Sequence, residues 1–240
     1  MSTEPVIGVV SGCGGVGASV FTAVLAACAG QHAGHAFLID CDPLGGGIDV
    51  LLGCEQEPGS RWSQVRLSGG PLDPLALRAG LPRWHEISFL AADSATALDP
   101  AAIGQVIESA AELSPVLVDL PRWQAPERLA ATARCDAIVL VTAAETRGLT
   151  ASAMLAPSLD PDRTSIVVRG SSRTLPHRHI AELLGLPVLG ELPYDPASLR
   201  QVGLDLARIR RRTRRLAETV LAHSRAERDR PVAPSGIVAA

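Results

Sequence analysis

A glycine-rich segment that follows the first apolar run constrains the fold of this chain more than any other feature. The run covers residues 6–11, and the segment continues as Gly12-Cys13-Gly14-Gly15-Val16-Gly17-Ala18-Ser19. Four residues separate the first glycine from the last, and a serine hydroxyl follows, which is the spacing of a phosphate-binding loop. An Ala-rich stretch at 19–29 predicts a helix, whose positive end and main-chain N–H groups would face an anion.

The loop lacks the lysine that usually belongs to this pattern. Position 18 is alanine, and all 22 basic residues of the chain are arginine. Losing one cationic or hydrogen-bonding group that stabilises a phosphoryl-transfer transition state costs about 3–4 kcal/mol, or ~10²–10³ in rate. Main-chain donors remain, so we expect phosphate binding to suffer less than hydrolysis. Arg122, or an arginine of a partner chain, is expected to substitute in part; for Arg122 a surface ion pair is the alternative.

Short apolar runs alternate with helical stretches along the rest of the chain. The predicted strands are 36–40, 87–91, 115–120, 137–142, 164–168 and 187–192, and the predicted helices are 100–113, 126–133, 147–156 and 177–185. This alternation indicates a parallel sheet with helices on both faces. We predict an α/β protein with the three-layer P-loop NTPase fold in one domain, residues 1–226. Residues 54–86 are expected to form helices and loops over the end of the sheet, and 227–240 a disordered tail.

Composition excludes several classes of protein. The net charge of −3 and the scarcity of aromatic residues (three Phe, three Trp, one Tyr) give no reason to expect specific nucleic-acid binding. Five cysteines without a C-x-x-C pair favour reduced thiols and a cytoplasmic location. No apolar run reaches the ~20 residues that span a bilayer.

Acidic residues follow two of the predicted strands. Asp40 and Asp42 come at the end of the second strand, and Asp119 ends Val116-Leu117-Val118, in the form of a Walker B acid that would act with Ser19 on Mg²⁺. The glycines also fit the dinucleotide pattern G-x-G-x-x-G, with Asp40 placed as the ribose-binding acid. An NAD-type oxidoreductase therefore remains an alternative, although no catalytic acid or base is evident for it.

Together these motifs resemble the MinD/ParA family of deviant Walker ATPases, over about residues 5–225. The family loop Lys-Gly-Gly-x-Gly-Lys-Ser/Thr matches residues 13–19, while 38–43 and 118–121 resemble its two switch segments, and 136–142 and 186–195 match other common stretches. The sequence Gly-Val-Gly-Ala-Ser looks like the CpaE/TadZ branch. The segments 44–49, 61–62 and 118–122 look closest to actinobacterial septum site-determining or secretion-neighbourhood members.

The resemblance implies ATP and Mg²⁺ as cofactors. Its cofactor-binding positions are Gly12, Cys13, Gly14, Gly15, Val16, Gly17, Ala18, Ser19 and Arg169; its metal positions are Ser19 and Asp119; its catalytic positions are Asp40 and Asp42. Cys13 replaces the signature lysine that reaches across a dimer in the family, and Ala18 replaces the general P-loop lysine. Arg169 occupies the position of an adenine-reading asparagine.

The implied function is a switch or scaffold that positions septum or secretion/Flp-Tad pilus machinery, with very slow or no ATP hydrolysis. A homodimer around the nucleotide and cell-division or secretion/pilus proteins are the implied partners. The alternative is a pseudo-ATPase interaction module that binds no nucleotide, which the replacements at positions 13, 18 and 169 favour.

A long amphipathic helix is predicted over 196–226. Apolar residues recur at helical spacing, namely Leu199, Val202, Leu206, Ile209, Leu216 and Val220. The rest of the helix is crowded by Arg208, Arg210, Arg211, Arg212, Arg214 and Arg215. One interpretation is a helix packed on the sheet with a solvated basic face. The other is a surface for an acidic partner or for anionic lipid, which would place the protein peripherally at the inner face of the plasma membrane.

Overall fold

The computed structural model describes residues 4–67, 70–93, 97–170, 175–195, 199–200 and 203–228, without the side chains of 199 and 200. The strands are β1 Val6–Ser11, β2 Ala36–Asp40, β3 Arg83–Trp84, β4 Ile87–Leu90, β5 Val116–Leu120, β6 Ala137–Ala143, β7 Thr164–Arg169, β8 Val188–Leu192, β9 Leu199–Arg200 and β10 Gly203–Leu204. The α-helices are α1 Ala18–Ala33, α2 Ile48–Leu52, α3 Pro74–Gly80, α4 Pro100–Ala111, α5 Pro126–Thr132, α6 Thr146–Leu155, α7 His177–Leu184 and α8 Arg211–Arg228.

Within these residues the main sheet has the order β3-β4-β2-β5-β1-β6-β7-β8. All its strand pairs are parallel except β3 with β4. Strands β1, β2 and β5 consist almost wholly of buried apolar residues, which is typical of a sheet covered on both faces. The predicted α/β three-layer fold with a mostly parallel sheet is confirmed.

Two apolar cores lie on opposite faces of the sheet. One is formed with α3 to α7 and the other with α1, α2 and α8. Strand β1 is central, with β5 on one side and β6 on the other, and β2 lies beyond β5. In the dinucleotide-binding fold the second strand lies directly beside the first. The strand order is therefore that of a P-loop protein and not that of the NAD-type alternative.

The predicted helix over 196–226 is wrong in its first half. Residues 199–204 include the antiparallel pair β9 and β10, residues 206–208 form a 3₁₀ turn, and α8 begins only at Arg211. Gly203 has φ +105, and a side chain there would overlap the backbone of Leu52, so a helix cannot pass. The Asp195 carboxylate accepts the Arg210 N–H at 3.0 Å and fixes the start of α8.

Two smaller differences concern the ends of predicted segments. Helix α8 continues through Arg228, two residues into the predicted tail, and the rest of that tail, 229–240, lies outside the described residues. The domain boundary stays a prediction. Segment 54–86 contains α3 and a 3₁₀ turn, as expected, but also the antiparallel edge strand β3, which the sequence did not indicate.

Candidate functional site

The glycine loop joins the end of β1 to α1 and opens to solvent. Gly14 and Gly15 are exposed, and a Cβ at either would meet no atom within 4 Å. Val16 is only 4% exposed and anchors the loop in the core beneath α1. The loop is thus held at Val16 and leaves open space beside Gly14 and Gly15, as a bound anion requires.

Helix α1 begins without a side-chain cap. Gly17 occupies its N-cap with φ +84, a left-handed conformation that favours glycine, and the first intrahelical bond runs from the Phe21 N–H to the Gly17 carbonyl at 2.9 Å. The N–H groups of Ala18, Ser19 and Val20 therefore have no partner within the helix. These groups and the positive end of a 16-residue helix form a candidate anion site at the mouth of the loop.

Gly12 has a different role from the exposed glycines. It is buried, its N–H donates to the Val141 carbonyl at 2.8 Å, and a Cβ there would overlap the Ser152 hydroxyl. Gly12 therefore lets β1 and α6 approach closely and fixes where the loop begins.

Ser19, Asp40 and Asp119 line one cavity of about 70 Å³ beside the loop. Asp40 and Asp119 are register partners on β2 and β5, which brings both carboxylates to the same edge of the sheet. Burial, followed by the charge of Asp40, raises the pKa of Asp119 well above its usual range, although hydrogen bonds from the Ser19 and Thr22 side chains oppose the shift.

Asp40 organises the segment that follows β2. Its carboxylate accepts N–H bonds from Asp42 at 3.0 Å, Ile48 at 3.0 Å and Ala92 at 3.3 Å. Burial raises the pKa of Asp40 to about 7 in spite of these three bonds. The structure thus gives Asp40 an anchoring role that sequence reasoning did not foresee, and its catalytic role stays a prediction.

Asp42 lies farther out than Asp40. Its Oδ1 accepts the Leu44 N–H at 3.0 Å, and burial raises the pKa of its half-buried carboxyl. Asp42 is not among the residues that line the 70 Å³ cavity. Its carboxylate therefore does not contribute to that cavity.

The cavity fits a hard, oxygen-liganded cation. Two buried carboxylates and a hydroxyl converge on a space large enough for an ion with water, and Mg²⁺ characteristically takes one or two carboxylates together with substrate phosphates. Among the described residues, no three His, Cys, Asp or Glu side chains form a self-sufficient metal cluster. A magnesium ion here would therefore depend on the phosphates of a ligand.

A second, larger pocket of about 320 Å³ also borders the loop. Its lining includes Gly15 and Gly17 of the loop, Phe21 of α1, and Arg169 and Tyr194. The Arg169 guanidinium carbon lies 5.4 Å from the centre of the Tyr194 ring. The pocket is large and mainly apolar, which suits the base and ribose of a nucleotide.

The two positions that lost lysine bring no charge to the loop. Ala18 is buried and Cys13 is half-buried. Arg122, the predicted substitute, is exposed and shares an open groove with Gly12 and Trp123. The structure instead places Arg169 against Gly17 of the loop, from a position 150 residues beyond Ser19. The sequence predicted Arg169 at the base of the nucleotide but did not indicate this contact with the loop.

Sequence reasoning also missed a buried support behind Asp40. The Trp62 indole N–H donates to the Asp40 carbonyl at 2.6 Å, and the neighbouring Arg61 pairs with Asp49 at 3.0 Å. The sequence signal was the combination of a tryptophan and an arginine inside an otherwise illegible segment.

Helix α8 commits its apolar face to the protein. Leu216, Ala217, Val220 and Leu221 are buried against the core that contains α1, while Arg211, Arg212 and Arg215 are exposed. This agrees with the first of the two interpretations of the helix, a packed helix with a solvated basic face. In the described part of the chain, no helix is long and apolar enough to cross a membrane.

Comparison of the sequence finds relatives in Mycobacterium tuberculosis. Uncharacterized protein MT3760 of strain CDC 1551 and uncharacterized protein Rv3660c of strain H37Rv are each 37% identical over 214 residues. The match covers 87% of this chain and 60% of each relative, so the chain spans well under two thirds of their length. No protein-family profile matches the sequence.

Solved structures share the fold over nearly their whole length. A ParA family ATPase from Chlorobium tepidum has a TM-score of 0.77 at 18% identity, covering 93% of this chain and 98% of its own. A chain of the MinC:MinD cell division protein complex of Aquifex aeolicus has a TM-score of 0.69 at 17% identity, covering 97% of this chain and 99% of its own. The septum site-determining protein MinD of Pyrococcus horikoshii, complexed with Mg-ADP, has a TM-score of 0.67 at 19% identity, covering 93% of this chain and 98% of its own. At such identities the likeness shows the fold.

Proposed function

We propose that the chain is a nucleotide-responsive switch or scaffold that binds ATP with Mg²⁺ and helps to position other proteins. The observation that carries this proposal is the open, uncapped glycine loop at the start of α1, with the oxygen-lined cavity of Ser19 and Asp119 beside it. The shared fold with MinD and ParA proteins, one of which holds Mg-ADP, supports it.

Each part of the site would have one task. The N–H groups of residues 14–19 would hold the phosphates, and the 320 Å³ pocket would hold the nucleoside. Ser19 and Asp119 would hold Mg²⁺, which neutralises phosphate charge when bound. Asp42, outside the 70 Å³ cavity, would orient water towards the terminal phosphate, while Asp40 keeps the 41–48 segment in place.

Hydrolysis would be very slow or absent. Neither position 13 nor position 18 provides an ammonium group, and stabilisation of the transferred phosphoryl group depends on such charges. Binding depends less on them, because the main-chain donors remain. The chain would therefore persist in its ATP-bound state, as suits a scaffold.

The role in the cell that we propose is positioning of septum or secretion/Flp-Tad pilus machinery, as in CpaE/TadZ-like proteins, from the cytoplasm.

A homodimer around the nucleotide would complete the site. Exposed apolar side chains support an interface there: Leu44, 65% exposed, follows the Asp42 segment, and Trp123 and Met154 line the groove next to Gly12. Light scattering after gel filtration, with and without a non-hydrolysable ATP analogue, tests the dimer. A molar mass that is the same with and without the analogue would contradict it.

Calorimetry and thermal unfolding with ATP, ADP and Mg²⁺ test the binding proposal. A ligand at 100 times its Kd should stabilise the fold by about 2.7 kcal/mol. Asp119→Asn should abolish the dependence of ATP binding on Mg²⁺, whereas Glu112→Gln, at an exposed position after α4, should not alter it. Absence of any shift at millimolar nucleotide in the intact chain would refute the proposal.

The second candidate is an interaction module that binds no nucleotide. The observation that favours it is the side chain of Arg169 over Gly17, where a ligand would lie, combined with the missing lysines. This candidate predicts full partner binding without nucleotide and no thermal shift with ATP, ADP or Mg²⁺. The calorimetric experiment therefore separates the two.

A further inference from the structure

Arg169 lies next to Gly17, the last glycine of the phosphate-binding loop, although it belongs to a strand two places away from β1. A Cβ built on Gly17 would lie 3.2 Å from Arg169 Nη1 and 3.7 Å from its Cζ. Strand β7 ends at Arg169, and β6 separates it from β1. The arginine side chain is long enough to bridge this gap and brings a guanidinium to the N-terminus of α1.

The Tyr194 ring and the partial burial of Arg169 hold this guanidinium in position. It lies over Tyr194, and the residue is half-buried. Burial lowers the pKa of Arg169, while Tyr194 and Asp195 oppose the shift. The Asp195 carboxylate is engaged elsewhere, since it accepts the Arg210 N–H and lies 3.5 Å from the Arg210 side chain. Among the described residues, no carboxylate lies within ion-pair distance of Arg169.

This placement puts a cation at the positive end of a helix. Cations are unfavourable at helix N-termini, where the partial charge is already positive, and this end has no side-chain cap. An anion between the helix end and the guanidinium reverses the sign of the interaction, because both sides then donate hydrogen bonds to it. A guanidinium presents its donors in a planar fork that matches phosphate oxygens.

We propose that Arg169 supplies the phosphate-binding charge that Cys13 and Ala18 lack, by donating hydrogen bonds to the phosphates of the nucleotide held in the loop. This inference rests on the proposed function. It assigns the substitution to Arg169, in contact with the loop, and not to exposed Arg122. It also gives Gly17 a second requirement, since a Cβ there would lie only 3.2 Å from Arg169 Nη1 and would shift the guanidinium slightly.

The test compares binding of ATP, ADP, AMP, adenosine and inorganic tripolyphosphate by the full chain in the presence of Mg²⁺. Arg169→Gln keeps much of the side-chain stem and removes the charge, Arg169→Lys keeps the charge, and Arg225→Gln removes a charge from an exposed position of α8. We expect Arg169→Gln to weaken ATP and tripolyphosphate about 10- to 100-fold and adenosine less than about threefold. Arg169→Lys should restore part of the loss, and Arg225→Gln should match the wild type.

The outcomes separate the inference from the proposed function. If the wild type binds ATP and Arg169→Gln binds ATP and tripolyphosphate equally well, the inference fails and the proposed function stands. Equal losses for adenosine and ATP mean that Arg169 reads the nucleoside, which also overturns the inference. A wild type that binds no ATP overturns the proposed function and the inference together. Unfolding of each variant without ligand, by circular dichroism, shows whether a loss of binding reflects a loss of fold.

Discussion

Arg61 Nε lies 3.0 Å from Asp49 Oδ2, in an ion pair whose two residues are each only 9% exposed. The remaining guanidinium donors reach the carbonyls of Gly59, Cys54 and Glu57 at 3.0–3.3 Å. This one arginine therefore ties the segment after α2 to the helix itself. Since Trp62, the next residue, bonds the Asp40 carbonyl, the same support reaches the candidate site.

Removing one partner of this pair should destabilise the fold strongly. Arg61→Ala leaves the Asp49 carboxylate buried without its cation, which typically costs about 3–5 kcal/mol. Asp49→Ala should cost a similar amount, and the double variant clearly less than the sum. Urea unfolding measures all three.

The matched control is the exposed pair of Arg134 and Glu108. Arg134→Ala should change the free energy of unfolding by less than about 1 kcal/mol, because solvent screens this pair. Additive effects of Arg61→Ala and Asp49→Ala would show that the buried pair does not act as a unit.

Gly12 and Gly14 should respond differently to alanine. A Cβ at Gly12 overlaps the Ser152 hydroxyl, which is bonded to Thr142 at 2.6 Å and cannot move freely, whereas a Cβ at Gly14 meets nothing. We expect Gly12→Ala to lose about 1–3 kcal/mol of stability and Gly14→Ala less than about 1. In a protein that already carries Ser152→Gly, Gly12→Ala should cost less stability than it does in the wild type, because the overlapping hydroxyl is gone. Equal melting temperatures for the two single alanine variants would contradict the structure.

His35 should make the fold acid-sensitive. Its ring, 3% exposed, lies 3.0 Å from the hydroxyls of Ser88 and Ser114. Burial, with smaller contributions from Arg78 and Arg83, lowers the pKa of His35 to about 4. A depressed folded pKa means that the unfolded chain takes up the proton first, at about pH 6.5. The contribution of neutral His35 to the free energy of unfolding should therefore be fully present above about pH 6.5. It should fall by about 3 kcal/mol as the pH approaches 4.

Because other groups also titrate, the His35 contribution is the difference between two pH profiles of unfolding. His35→Gln should flatten the fall between pH 6.5 and 4, even if its stability at pH 7 is lower. His179→Gln, at an exposed position of α7, should keep the wild-type profile. Parallel profiles for His35→Gln and the wild type would rule out this source of acid sensitivity.

The parts of the structure that the sequence predicted are those coded by contiguous residues. The buried strands are unbroken apolar runs, and the loop is defined by the spacing from Gly12 to Ser19. The proximity of Asp40 and Asp119 follows from the rule that parallel strands end at one edge of a sheet. Each of these needs only local pattern and a general rule of topology.

The parts that the sequence did not predict depend on long side chains or on distant partners. Arg169 reaches Gly17 across β6. Arg61 is buried because it pairs with Asp49, and no periodicity in the sequence marks the position of Asp49. The apolar spacing of Leu206 and Ile209 imitates a helix but arises from a turn that packs both residues towards the core. A hydrophobic pattern records which residues are buried and not which element buries them.

Contact with an anionic membrane should be purely electrostatic. The large apolar side chains of α8 pack against the protein and are not available to insert, whereas Arg211, Arg212 and Arg215 face solvent. Such arginines contribute about 1 kcal/mol each at an anionic surface and are screened by salt.

We expect the protein to sediment with phosphatidylserine vesicles at low salt, and neither with neutral vesicles nor at 1 M salt. Replacing the three arginines by glutamine should abolish sedimentation, while the same change at exposed Arg134, Arg147 and Arg178, which removes equal charge, should reduce it only slightly. Sedimentation that persists at high salt, or that both triple variants lose equally, would show that the basic face of α8 is not the contact.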